Sequence, residues 1–179
     1  LTVRDEAGTL RAVAFGYACH NTTLSSVTVP PDEPRYLFNG DYAGFAQERL
    51  QQAYPGAVAL FVNGCSGDQN PYPRRDEVPD LLPLELAEHH GRTLAYSVIA
   101  AMNTGARPLV GSIRAAIGDV ELTRNAGKPS HSYPVQVVTL GDAVTLAALG
   151  SETTVDYALR LKREIKAPMV WVAGYSNDY

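Results

Sequence analysis

Four apolar runs in this chain each stop abruptly on polar residues: AVAFGYA before CHNTT, AVALFV before NGCSGDQNP, VTLAALG before SETT, and MVWVAGY before SNDY. No other feature limits the fold so strongly. Short apolar runs of this length read as strands, and AVALFV, unbroken, reads as a strand buried on both faces. Stretches of helical periodicity separate them. Asp41 is placed to cap a helix over DYAGFAQERLQQAYPG, with Phe45, Leu50 and alanines as its apolar stripe and Pro55-Gly56 as its end. LELAEHHGRTLAYSVIAAMN is the longest helix, with Leu86, Leu94, Val98 and Ile99 toward the core and Gly105 beyond its end. SETTVDYALRLKREI is an amphipathic helix with Ser151 or Glu152 near its start.

Turn chemistry orders the remainder. LTVRD and LRAVAFGYA flank a glycine-containing turn and form a hairpin, as do YPVQVVTL and AVTLAALG around Gly141-Asp142. LVGSIRAAIGDVELTR alternates and suits an edge strand or hairpin, NAGKPSHS is a linker that holds His131, and TVPPDEPRY is irregular. Strands alternating with helices, plus hairpins, predict an α/β layered domain, residues 1–179, with mixed β-sheet flanked by helices. Both ends read as cut from a longer protein, since the chain opens without methionine and closes straight after a strand.

Composition narrows the function. Of the 179 residues 45% are hydrophobic and 19% charged, which suits a globular protein. A net charge of −4 gives no electrostatic case for nucleic acid or an anionic membrane as partner. The densest basic group, Arg160, Lys162, Arg163 and Lys166, reads as the solvated face of a helix. No apolar run approaches the roughly 20 residues of a transmembrane segment, and no signal peptide is legible. Cys19 and Cys65 make no disulfide framework and read as buried thiols.

One polar strand end is a turn, but four of them, holding His20, Asp68, Asn70, Glu152, Asn177 and Asp178, form the wall of a site. Ligands of open α/β sheets bind at the carboxyl ends of strands. Histidine and carboxylate on rigid elements are zinc donors, and a catalytic zinc takes about three protein ligands and leaves room for water. Spacing alone leaves open a hydrogen-bonded histidine at His20 and an acid at a helix N-terminus at Glu152. His89 and His90 read as solvent-facing. The GCSGD segment lacks the second glycine of a GxSxG nucleophile elbow, and its glycine pair lacks the GK[ST] ending of a phosphate loop.

AFGYACHNTTL, NGDYAGFAQERL, FVNGCSGDQNP, LGSETTVDYALRLKREI and VWVAGYSND, in that order, resemble the neutral/alkaline (non-lysosomal) ceramidase family, in particular its bacterial ceramidase-like members. The likeness runs from Val3 to Tyr179. It implies a hydrolase with one catalytic zinc held by two histidines, a glutamate and a tyrosine. Activated water would then cleave an N-acyl amide, giving fatty acid and sphingosine where ceramide is the substrate. His20 matches the second family histidine and Glu152 the glutamate. The first histidine belongs to an upstream segment this chain lacks. Tyr179 matches a tyrosine just before the ligand one, so that ligand lies past the last residue.

A chemical departure accompanies these. Where the family carries a serine after Gly-Asp, this chain retains Gly67 and Asp68 but has Asn70. An asparagine can donate to a carbonyl or oxyanion but cannot be a nucleophile, so a water-based mechanism survives and ceramide itself becomes doubtful. Asn70 and Asp68 are then expected to line the pocket, Asn21 to steady the His20 loop, and Asp41 and Gly44 to shape the loop beside the site. Relatives are often exported. Two alternatives stand beside this reading: a metallohydrolase for another amide or N-acetyl substrate, and a non-catalytic binding domain that keeps the fold.

Overall fold

The computed structural model describes residues 1–24, 38–123, 125 and 127–177; the expected irregular stretch at 28–36, and Asp178 and Tyr179, lie outside them. The chain forms two compact units. The first comprises Leu1–Val62 and Asn70–Ala106, the second Asn63–Gln69 and Arg107–Tyr179.

In the first unit, β1 (Thr2–Arg4) and β2 (Leu10–Tyr17) form the expected antiparallel hairpin, and β3 (Val58–Asn63) follows β2 in a three-stranded sheet. Helices α1 (Asp41–Ala53) and α2 (Pro83–Met102) belong to the same unit. Alternation along β2 sends Leu10, Val13 and Phe15 into one core with Ala57 and Ala59, where Ala46 and Leu50 of α1 and Ala95 of α2 meet them. Leu94, Val98 and Ile99 pack against this cluster, as the periodicity of α2 predicts. Phe15 and Phe61 meet edge to face with centroids 5.5 Å apart.

Gly91 is the point of closest approach of the two helices. A Cβ there would collide with Cβ of Phe45 and stand 2.7 Å from the Tyr42 carbonyl oxygen. Two expectations for this unit need correction. β3 is not buried on both faces: Val58 and Leu60 are about half exposed, because β3 ends its sheet and only the face carrying Ala59 meets the core. Nor does Asp41 cap α1 in the ordinary way. Gly40 holds the capping position, while Asp41 is buried at φ +52 with its carboxylate turned to other donors.

The second unit is a four-stranded mixed sheet ordered β4 (Ile113–Leu122), β5 (His131–Leu140), β6 (Val144–Leu149), β7 (Met169–Ala173). β4 to β6 run antiparallel in turn, and β7 lies parallel to β6 after a crossover through α3 (Val155–Glu164). Cys65, Leu149, Ala158 and Val172 form the cluster that seats α3, with Tyr133, Val135, Leu161 and Val170 beside it. β4 is an edge strand, with Ile113 73% and Ile117 62% exposed. Gly141 at φ +55 makes the β5–β6 turn.

Two boundaries differ from those expected. α3 begins at Val155, so Ser151 and Glu152 sit in the loop before it rather than in its first turn. His131 is the first residue of β5, paired with Leu122, and not part of a linker. Together the units have the mixed α/β architecture expected, with strands, hairpins and helices in the order the sequence predicts. Both cysteines are free and buried. Among the described residues, no helix is long and apolar enough to cross a membrane.

Candidate functional site

His20 stands three residues beyond β2, on a loop fixed on both sides of it. The Tyr42 hydroxyl donates to the Cys19 carbonyl at 2.6 Å, Asn21 Nδ2 to the Gly40 carbonyl at 3.2 Å, and the Leu24 amide to Asp41 Oδ2 at 2.8 Å. Asn21 and Asp41 thus play the loop-shaping parts expected of them. Tyr42 is 2% exposed and packs edge-on against Phe61, and burial pushes its phenol far above the usual range, so its proton stays in place as the donor. Burial likewise raises the Cys19 thiol. The sequence reading missed Tyr42, although an aromatic residue with a polar tip one place after Asp41 was the available signal.

Thr22 donates to Asn70 Oδ1 at 3.4 Å, and the two residues line a cavity of about 350 Å³ in the first unit with Thr23, Arg74, Asp76 and Leu86. With Oδ1 engaged, the amide nitrogen of Asn70 keeps its protons for a ligand carbonyl. A larger groove of about 520 Å³ along α1 and α2 holds none of the predicted site residues.

Three of the four polar strand ends come together within the second unit. The Gly67 amide donates to the Thr153 carbonyl at 3.0 Å, the Tyr175 amide to the Ser151 carbonyl at 3.1 Å, and the Gly174 amide to the Asn63 carbonyl at 3.1 Å. Gly67 is required here. A Cβ on it would collide with the Glu152 carbonyl oxygen and lie 3.0 Å from the carbonyl carbon. The Tyr133 hydroxyl reaches the Gly150 carbonyl at 2.6 Å and Thr153 Oγ1 at 2.9 Å. Ser151 at φ +52 and Tyr175 at φ +53 occupy the left-handed region that few side chains tolerate. Glu152 therefore projects from a loop held by β5, by the segment after β3 and by the segment after β7.

Asp68 accepts the Val155 amide at 2.9 Å and so satisfies a first-turn donor of α3, the place expected for Glu152. That hydrogen bond holds its carboxyl below the usual range, so Asp68 is ionised at neutral pH and has no proton to give. Asn177 donates to Gln136 Oε1 at 3.0 Å.

An imidazole and a carboxylate are donors that zinc accepts. Among the described residues, however, no three His, Cys, Asp or Glu side chains are gathered as a metal ion requires. Those residues do not build a zinc centre by themselves.

The architecture defines a mixed α/β protein whose polar strand ends carry its candidate chemistry. Two solved structures share that fold. Neutral ceramidase from Pseudomonas aeruginosa matches over 97% of this chain and 38% of its own, with a TM-score of 0.69 and 13% identity. A ceramidase complexed with C2 matches over 99% of this chain and 40% of its own, with a TM-score of 0.71 and 14% identity. The chain thus spans about two fifths of the length of these proteins. No protein-family model and no curated protein matches its sequence.

Proposed function

We infer that this chain is part of a ceramidase-like hydrolase that cleaves an N-acyl amide of lipid character with water. The observation that carries the reading is the fold shared with two ceramidases, and the five ordered sequence blocks agree with it. In this reading His20 and Glu152 are two ligands of a zinc ion whose remaining donors come from elsewhere in the protein. Asn70 donates its amide protons to the substrate carbonyl, a role open to it in the cavity it shares with Thr22. Asp68, ionised and bonded to the Val155 amide, shapes the wall of the site and is no proton donor.

The test is the zinc content of the full-length protein, with and without His20→Ala. About one zinc per chain in the natural protein, and its loss in the variant, is expected. Stoichiometric zinc in the variant would remove His20 from the site. A series of N-acyl amides separates lipid from other amides, because each buried methylene contributes roughly 0.8 kcal/mol to binding. kcat/KM should climb several-fold per added methylene until the pocket is filled. A flat series would point to a short acyl or N-acetyl substrate.

A further inference from the structure

We propose that Tyr175, acting through Ser66, is the positioning residue that holds Glu152 in place; its link to activity rests on the function proposed above, its structural part does not. A closed circuit of bonds runs through the second unit. The Tyr175 amide bonds the carbonyl of Ser151, the residue before Glu152. The Gly67 amide bonds the carbonyl of Thr153, the residue after it. Ser66, covalently joined to Gly67 and fully buried, then meets Tyr175 side chain to side chain, Oγ to hydroxyl at 3.3 Å. That contact closes the ring, and it is the link in the ring made between two side chains.

Ser66 Oγ lies 3.3 Å from both the Asn63 side-chain carbonyl and the Tyr175 hydroxyl, and it has one proton. Ser66 Oγ is the donor in both contacts, its one proton shared between Asn63 Oδ1 and the Tyr175 hydroxyl oxygen. The Tyr175 hydroxyl is thereby tied to a fully buried residue. Backbone conformation agrees with a held geometry: Ser151 and Tyr175, the two residues joined by the amide bond, both sit near φ +52 to +53. Such conformations persist only where the surroundings over-determine them. Tyr133 braces the same loop from β5 through the Gly150 carbonyl and Thr153 Oγ1, atoms that are not links of the ring.

Tyr175→Phe keeps the ring packing and removes one hydroxyl. The expected result in the full chain is faster amide exchange at residues 151–153 and 67, by roughly threefold to tenfold, the scale of one hydrogen bond. Ser66→Ala should give a similar change, and the double variant no more than either alone. Unchanged exchange in Tyr175→Phe, or fully additive effects, would overturn the clamp. Zinc affinity and kcat supply the second readout. If the protein binds zinc, Tyr175→Phe should weaken it about as much as it loosens the loop, and lower kcat with KM little changed. Unaltered zinc affinity and kcat would overturn the positioning role. A protein that binds no zinc at all, yet shows the exchange changes, would sink the proposed function and leave the clamp standing.

Discussion

Asp68 shows how one side chain can serve two distant parts of a sequence. Its carboxylate satisfies the amide of Val155, 87 positions later, and the bond depresses its pKa. A carboxyl held low stabilises the fold at pH values above its ordinary value near 4, and that stabilisation fades as pH falls through the lowered value. Asp68→Asn should therefore lower the Tm at pH 7 and flatten the loss of stability between about pH 5 and 3. Thermal melts across that range check both. Neither partner in this bond was legible as such. A cap is recognised from the residues next to a helix, and the acids next to α3 drew the eye to Glu152. Gly67 was similarly opaque, because a glycine required by the close approach of a remote carbonyl looks like any loop glycine until the loops meet. Cys19 and Cys65 were read correctly as buried thiols, although the groups that bury them are remote in sequence, Tyr42 and Ala43 at Cys19 and Leu149, Ala158 and Val172 at Cys65.

Among the elements, those with a strong period came through with boundaries close to the expected ones: the β1–β2 hairpin, α1, α2 and the β5–β6 hairpin. The misreadings share a cause. β3 was expected to be buried on both faces because its apolar run is unbroken, whereas what covers each face depends on elements that lie elsewhere in the chain. The α1–α2 contact offers a sharp test of packing. Gly91→Ala gains about 1 kcal/mol of intrinsic helix propensity. It also drives a methyl into Phe45 and toward the Tyr42 carbonyl, and overpacking against backbone costs typically 1–3 kcal/mol. The collision should win, with a lower midpoint in chemical denaturation and an unchanged m-value. A more stable variant would show that the helices separate easily.

At the scale of the whole molecule, the chain visits its second unit for only Asn63–Gln69 before returning to the first, and comes back for good at Arg107. Those seven residues contribute Cys65 to the α3 cluster, Gly67 to the Glu152 loop and Asp68 to the start of the helix. A gene fragment encoding 107–179 alone would lack all three. Its product should be poorly ordered by circular dichroism and nuclear magnetic resonance, although it keeps every strand of its sheet. Supplying the missing heptapeptide as a separate molecule, or splicing it onto the fragment through a flexible tether, should restore order. Such an interlaced chain cannot be shortened at its obvious seam, and whoever divides it for expression will have to carry that small insert across the cut.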